Sequence, residues 1–447
     1  MKTKNLTTGN IKKQIIALAL PVMVTSFVRM INNFVDMFWM KKGIGDEAIA
    51  AIGVSGLLIW LFVEMGSLFE IGTQVKVSTL IGEEKSEEAD LYAKSGMITT
   101  VAVACVLVTL AVIFGSFYIG LYELTPTVAD YGIKYLVTAN LGLPFMFLNF
   151  VITGNFHARG NTKITFIVNS IGLLSNMILD PIFIFGLNLG IVGAGLATSL
   201  ASVVATIMFL FALKGQFIKN KIEYSFNATK NIIKIGFPNF IYKSIFVVTS
   251  MFVTNIVSSF GTDAVAVQQI GTQLEAISWM TAGGLSVAIS TFIGQNFGAK
   301  KLDRTLKGFN ITLVYGIILG AFNAIVFFFF GKSLISLFLT GASAIEIGGN
   351  YMRIGSLAQF FMCIEIVTVG AFLGFSKPIY SSVSNAIFVL IRIPLALFLS
   401  QDDILGINGV WWTMTISCML KGIFINILFF FTEKRNIKKQ IALLEKA

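Results

Sequence analysis

The chain has 447 residues, of which 55% are hydrophobic and 13% charged, and its mean hydropathy is +0.82. A soluble protein of this length would be about one-quarter charged. This composition excludes an ordinary soluble protein and, with long apolar stretches recurring along the chain, predicts a polytopic membrane protein. The stretches are too long for the alternating segments of a barrel, so the membrane-spanning elements are expected to be helices.

The net charge of +10 does not indicate binding to nucleic acid, because the basic residues are grouped between apolar stretches. Lys and Arg cluster before the first stretch, in residues 214–231, near residues 300–307 and after the last stretch. Alternate loops, such as 123–130 and 400–406, contain neither residue type. This positive-inside pattern predicts a multi-pass protein of the cell membrane with both termini in the cytoplasm.

In chain order, the apolar stretches predict about 12 transmembrane helices in two lobes. The expected N-lobe covers residues 1–213, a cytoplasmic linker 214–231, the C-lobe 232–432 and a cytoplasmic tail 433–447. The two halves repeat one another: "GDEAIA" from Gly45 matches "GTDAVA" from Gly261, and "LGIVG" from Leu189 matches "LGING" from Leu405. Because each half contains an even number of helices, we expect parallel repeats with a substrate path at their interface.

Two Asn-x-x-x-Asp pairs lie within apolar stretches, Asn32–Asp36 and Asn176–Asp180. Each pair places both side chains on one helix face. A carboxylate at the centre of a membrane helix costs about 2.5–3.5 kcal/mol, so it normally faces a cavity or a partner. Such a pair could bind a proton or, through its oxygens, a hard cation. The alternative is a structural ion pair, for which Arg29 lies seven residues before Asp36.

Two prolines stand at positions where they would weaken these helices. Pro181 directly follows Asp180 and, since it has no N–H, cannot bond to the carbonyl of Met177. Pro21 has the same effect on Ala17 in the first helix. Interrupted helices beside a binding site are typical of transporters, so both prolines are predicted to allow helix bending.

Several longer stretches resemble the multidrug and toxic compound extrusion (MATE) family, from about residue 10 to residue 435. They are "LALPVMVTSFVRMINNFVDMFWM", "STLIGEE", "NMILDPIFIFGLNLGIVGAGLAT" and "STFIGQNFGAKKLDR". The resemblance implies an all-α integral membrane fold, with two six-helix lobes forming a V shape and working by alternating access. It also implies antiport, in which inward H⁺ or Na⁺ flow drives export of amphiphilic, often cationic compounds.

The resemblance to the DinF-like branch of that family, within the MOP superfamily, also implies a cation site in the N-lobe. Its residues here would be Asp36, Asn176, Asp180 and Thr198, which could hold H⁺ or Na⁺. The NorM-like branch instead has a C-lobe glutamate ten residues after the Gly of "G-x-P". In this chain that Gly is Gly236 and the tenth residue after it is Phe246, which speaks against that second mode of coupling.

A set of further polar residues is expected to line the substrate cavity. The candidates are Asn32, Glu64, Gln269, Gln273, Glu275 and Trp279. Glu64 and Glu275 occupy nearly equivalent positions in the two halves, and a salt bridge is the alternative role for each. The expected partners are small amphiphilic molecules and the lipid bilayer, without nucleic acid and without a cofactor beyond the coupling ion, and the protein is expected to act as a monomer.

Other functions remain as alternatives at this stage. A lipid-linked precursor flippase of the same superfamily would have basic residues in its cavity, and Lys243, Arg353 and Arg392 leave that reading open. An ion channel would show high flux without substrate. An enzyme or an ATP-driven pump is not expected, since the sequence contains no H-E-x-x-H, G-x-S-x-G, Cys/His cluster or P-loop.

Overall fold

The computed structural model describes residues 3–122, 124–213 and 223–444, and every regular element in these ranges is a helix. The all-α prediction is therefore confirmed. Among the described residues, eleven helices are long and apolar enough to cross a membrane, and the number is twelve if one bent pair counts as a single span. This agrees with the number predicted from hydropathy.

Seven helices precede the predicted linker. They are α1 (Ile11–Gly43), α2 (Asp46–Gly82), α3 (Ser86–Ile119), α4 (Pro126–Asn140), α5 (Leu143–Ala158), α6 (Thr162–Pro181) and α7 (Gly190–Ala212), with a π-helical turn at Ile182–Gly186 after α6.

Among the described residues, eight further helices begin at or after Phe226, which lies inside the predicted linker. They are α8 (Phe226–Ser258), α9 (Thr262–Gly298), α10 (Leu302–Ser336), α11 (Ala342–Gly374), α12 (Pro378–Leu390), α13 (Arg392–Leu399), α14 (Ile407–Phe429) and α15 (Arg435–Leu444), with a π-helical turn at Phe430–Lys434 before α15. Residues 214–222 of the predicted linker and 445–447 of the predicted tail lie outside the described residues.

The helices form two compact units. The start of the first helix of each half of the chain belongs to the unit formed by the other half. Unit 1 comprises the chain up to Asn5 and Val24–Phe240, and unit 2 comprises Leu6–Met23 and Ile241 onward. The divisions fall inside α1 and α8, shortly after Pro21 and Pro238. The division into lobes at residues 213 and 232 stays a prediction.

Buried apolar side chains explain the exchange. Ile15 and Leu18, near the start of α1, are 0% and 2% exposed and belong to the hydrophobic core of unit 2, together with Phe292 and Phe372. In the same way, Ile232 near the start of α8 belongs to a core cluster of unit 1. Association of membrane helices is driven by close van der Waals packing, so these contacts hold each segment in its unit.

One of the apolar stretches, within residues 126–158, is bent. The structure divides it into α4 and α5, which meet at an angle of 47°. Pro144 lies in the first turn of α5, where its missing N–H costs nothing, but it cannot continue the hydrogen bonding of α4. The bend therefore follows from a proline that the hydropathy pattern does not register.

Close helix packing in unit 1 depends on a glycine of α7. A Cβ built on Gly195 would clash with the Thr138 hydroxyl and lie 2.9 Å from the Ala139 amide nitrogen. We expect Gly195→Ala to lower the free energy of unfolding by about 1–3 kcal/mol, because the helices would have to separate.

The matched control is Gly53→Ala in α2, where nothing lies within 4 Å of the added atom. Alanine has the higher helix propensity, so this change is expected to be neutral or slightly stabilising. Thermal unfolding of both purified variants measures the difference. Equal melting temperatures for the two would contradict the packing role of Gly195.

Candidate functional site

The two Asn-x-x-x-Asp pairs meet inside unit 1. Asn32 and Asp36 lie one turn apart on α1, and Asn176 and Asp180 lie one turn apart at the end of α6. Asn176 and Asp180 are 5% and 1% exposed, and Asn32 is 4% exposed. The helical spacing read from the sequence thus places four polar side chains in one buried cluster.

Hydrogen bonds link the four side chains. The Asn32 amide nitrogen donates to Asp36 Oδ2 at 2.8 Å and lies 3.0 Å from Asn176 Oδ1. The Asn176 amide nitrogen in turn donates to Asp180 Oδ1 at 3.4 Å. Asp36 and Asp180 are also within hydrogen-bond reach of each other when one of them carries a proton. The result is a closed ring of side chains that connects α1 to α6.

Three buried oxygens of this ring have no hydrogen-bond partner: Asn32 Oδ1, Asp36 Oδ1 and Asp180 Oδ2. An unsatisfied buried polar atom costs about 1–3 kcal/mol, and more when it is charged. Oxygen atoms are the ligands that Na⁺ and other hard cations prefer, and two adjacent carboxylates also favour sharing a proton. The donor set therefore fits a proton or a hard cation.

The structural ion pair considered from the sequence is not formed. Arg29 is exposed, whereas one oxygen of Asp36 accepts from Asn32 and the other has no hydrogen-bond partner. The carboxylates of the ring are balanced by neither Arg29 nor any other cation within ion-pair distance among the described residues. Their hydrogen-bond donors in the described residues are the neutral amides of Asn32 and Asn176.

Thr198 is the predicted ligand that the structure does not join to the ring. Its hydroxyl donates to the Ala194 carbonyl, one turn earlier in α7, at 3.2 Å. Tyr135 on α4, which sequence reasoning missed, lies within electrostatic reach of both Asp36 and Asp180. The sequence gives no signal for Tyr135, because tyrosine is common in membrane helices and Tyr135 belongs to neither Asn-x-x-x-Asp pair.

The two predicted bending points differ in the structure: the helix type changes at Pro181, whereas Pro21 lies inside a continuous helix. α6 ends at Pro181, and the chain continues as a π-helical turn in which the Leu187 amide bonds to the Ile182 carbonyl at 2.8 Å. In α1, Pro21 lies inside the helix, just before the residue at which the chain passes from unit 2 to unit 1. Asp180 is thus adjacent to an interrupted helix.

The candidate cavity residues lie in different environments. In unit 1, Asn32 belongs to the ring, and Glu64 is 8% exposed and accepts from the Ser67 hydroxyl at 2.8 Å. The unit 2 residues Gln269, Gln273 and Trp279 are exposed. Gln269 also lines a pocket of about 340 Å³ together with Ser258, Gly261, Thr262, Val265 and Ala266. Glu275 is half-buried beside Tyr351 of α11.

A second buried polar cluster lies in unit 2, and it already contains its own cation. The Lys421 ammonium of α14 is 2.9 Å from the Glu365 carboxylate of α11, and both side chains are almost fully buried. The Asn385 amide donates to the other Glu365 oxygen at 2.7 Å. Phe246, the residue found in place of a coupling glutamate, lies with its ring 5.6 Å from the Arg392 guanidinium.

This arrangement distinguishes the two clusters. In unit 2 the carboxylate is paired with Lys421, while Arg392 donates to the Ser417 hydroxyl at 2.9 Å. In unit 1 the ring carboxylates Asp36 and Asp180 have only neutral donors. Of the two clusters, the one with Asp36 and Asp180 is therefore the candidate ion site. Within the described residues, no three His, Cys, Asp or Glu side chains gather as a transition-metal site would require.

Comparison with known proteins agrees with this architecture. The sequence model of the MatE family matches the chain twice, over residues 21–182 and 238–398, which together are more than half of it. The first match contains the ring of Asp36 and Asp180. The branch within the family is not resolved by these matches, so the DinF-like assignment stays a prediction.

Curated relatives and solved structures cover nearly the whole chain. The probable multidrug resistance protein NorM of Thermotoga maritima is 24% identical over 442 residues, covering 95% of this chain and 93% of that protein. The multidrug export protein MepA of Staphylococcus haemolyticus is 23% identical, covering 93% of each.

A multidrug resistance MATE transporter of the MOP superfamily, solved in an outward-facing conformation, superposes with a TM-score of 0.89 at 20% identity. That alignment covers 98% of this chain and 99% of the solved one. The fold and the two family matches lead to one conclusion. The chain belongs to the MatE family of membrane transporters and is not an enzyme.

Proposed function

We propose that this transporter is an antiporter that exports amphiphilic, often cationic compounds in exchange for H⁺ or Na⁺. The observation that carries the proposal is the buried ring of unit 1, with two carboxylates and three unpartnered oxygens. Its relatives NorM and MepA are described as multidrug resistance and export proteins, which supports the substrate class.

The ring supplies a physical basis for coupling. Two carboxylates that lie together without a cation repel each other, and a bound proton or Na⁺ removes that repulsion. Occupancy therefore changes the attraction between α1 and the end of α6. Both helices contain a proline near the place where they would have to move, so a change of occupancy can favour one helix geometry over another.

The expected ligands differ for the two ions. A proton would be shared between Asp36 and Asp180, with Asn32 and Asn176 holding the carboxylates in place. Na⁺ would be held by the carboxylate oxygens together with the free Asn32 oxygen. Thr198 donates its hydroxyl hydrogen to the Ala194 carbonyl, which leaves its oxygen lone pairs available to Na⁺. We further propose a monomer in the plasma membrane, with both termini in the cytoplasm.

Export driven by an imposed gradient tests this function. Purified protein in ethidium-containing vesicles would be given either a pH step or a Na⁺ step, and the loss of ethidium fluorescence would be recorded. At least one step is expected to accelerate ethidium movement over protein-free vesicles. Ethidium movement that is equally fast with no gradient, with H⁺ and with Na⁺ would contradict coupled antiport.

A further inference from the structure

Three separate segments bring basic residues to one end of unit 2. Ile11, Leu302, Ile437 and Ile441 all pack against the same hydrophobic core cluster. They come from the start of α1, the start of α10, and α15. Each segment carries exposed basic residues beside its packed apolar residue, and we call these six residues the basic surface: Lys12, Lys13, Lys300, Arg435, Lys438 and Lys439.

The contribution of α15 is held in place by specific contacts. In the π-helical turn that precedes it, Glu433 is buried and pairs with Lys377 at 2.8 Å. The Lys434 ammonium donates to Asn310 Oδ1 at 3.1 Å, and Ile437 is 3% exposed. Since Ile437 and Ile441 face the core, the helix turns Arg435, Lys438 and Lys439 outward.

Neighbouring cations at this end have other partners. Arg304 donates to the backbone oxygens of Leu6, Thr8 and Gly9, and Lys301 donates to the Thr7 carbonyl. Lys307 pairs with Asp303 at 2.7 Å. In contrast, no residue of the basic surface has a carboxylate within ion-pair distance in the described part of the chain. The surface therefore has an excess of positive charge that is available to an external anion.

Its position selects the kind of anion. The basic surface lies where the candidate membrane-spanning helices α1 and α10 begin and α14 ends. A short basic helix with an apolar face is typical of the membrane interface, and Leu443 at its far end is 68% exposed. Clusters of four to eight Lys or Arg beside a membrane helix are a sequence signature of anionic lipid binding.

We propose that the basic surface binds the head groups of anionic phospholipids and that this binding stabilises unit 2. The phosphates would lie between α15 and the starts of α1 and α10, and so join three segments that the core also joins. The proposal does not depend on the transported substrate or on the coupling ion, so its failure and the failure of antiport are separate results.

The test is the affinity for anionic lipid, read as the rise in melting temperature when phosphatidylglycerol is added to protein in neutral detergent. The triple variant R435Q/K438Q/K439Q is expected to bind roughly a hundredfold more weakly, since each of the three charges near the surface contributes about a factor of five. The charge-preserving R435K/K438R/K439R is expected to behave as the original chain.

The matched control removes three exposed charges from unit 1, in the variant K163Q/K230Q/K234Q, and is expected to keep the full lipid response. Without lipid, all variants should melt within a few degrees of the original, because these side chains are exposed. An equal loss in both glutamine triples, or an equal stabilisation by phosphatidylcholine or by inorganic phosphate, would overturn the proposal. Retention of full phosphatidylglycerol binding by R435Q/K438Q/K439Q would overturn it as well.

Discussion

Asp36→Asn and Asp180→Asn are each expected to reduce gradient-driven ethidium export by roughly 5- to 150-fold, the range of a typical coupling free energy between two sites. Each substitution keeps the size of the side chain and a hydrogen-bonding group, but it removes one of the two negative charges in the ring. Without that charge, binding of H⁺ or Na⁺ releases too little free energy to change the attraction between α1 and α6.

The measurement is the initial rate of ethidium efflux from vesicles after a pH or Na⁺ step, at equal protein content. Asp130→Asn is the matched control, because Asp130 is an exposed acid of the same unit that pairs with Lys134. Its rate should equal that of the original chain. If both ring variants retain full gradient-driven export, the ring is not the coupling site.

Lys421→Met is expected to cause the largest loss of stability, about 3–5 kcal/mol in the free energy of unfolding. The substitution keeps the length and apolar character of the side chain but leaves the Glu365 carboxylate buried with only the Asn385 amide as a partner. Removal of the second charge should reverse most of this loss. The double variant K421M/E365Q is therefore expected to melt well above K421M.

Thermal unfolding of the purified variants measures this effect. The comparison is with Lys134→Met, which breaks the exposed Lys134–Asp130 pair and should cost less than about 1 kcal/mol. Similar melting temperatures for K421M and K134M would show that the buried pair contributes no more than a surface pair. A double variant no more stable than K421M would exclude the uncompensated charge as the cause.

Much of the fold could be predicted from the sequence because the bilayer restricts the possible structures. Long apolar stretches had to become helices, and their number follows from hydropathy. The partner of each buried helix face could not be predicted in the same way. Ile15 and Ile232 are equally hydrophobic in either unit, so periodicity does not reveal that the starts of α1 and α8 are exchanged.

The residues of the ring could be predicted from the sequence for a related reason. Asp36 and Asp180 are conspicuous because a carboxylate in an apolar helix is costly, and the spacing to Asn32 and Asn176 gives the shared face. What could not be predicted is the side-chain geometry. The bond between Asn32 and Asn176 joins residues far apart in the chain, and Tyr135 has no local pattern that marks it as a neighbour.

The second cluster shows the same limit. Glu365, Arg392 and Lys421 are each visible as charges in apolar stretches, but α11 and α14 must pack together before the pairing of Glu365 with Lys421 appears. The pairing distinguishes Glu365, which has a cation beside it, from the ring carboxylates, which have only neutral donors. The sequence offered only the N-lobe residues as an ion site and did not predict the pairing in unit 2.

We propose that the ring of unit 1 exchanges an ion for the exported compound. The movement of that ion, driven by a substrate gradient alone, tests this exchange most directly. Vesicles with equal pH and equal Na⁺ on both sides would be given an ethidium gradient, while internal pH and ²²Na⁺ uptake are recorded. Coupled exchange predicts opposite movement of H⁺ or Na⁺ with the original chain and its loss in D36N/D180N. Ethidium movement that carries neither ion with it, or the same ion movement in D36N/D180N, would contradict the claim.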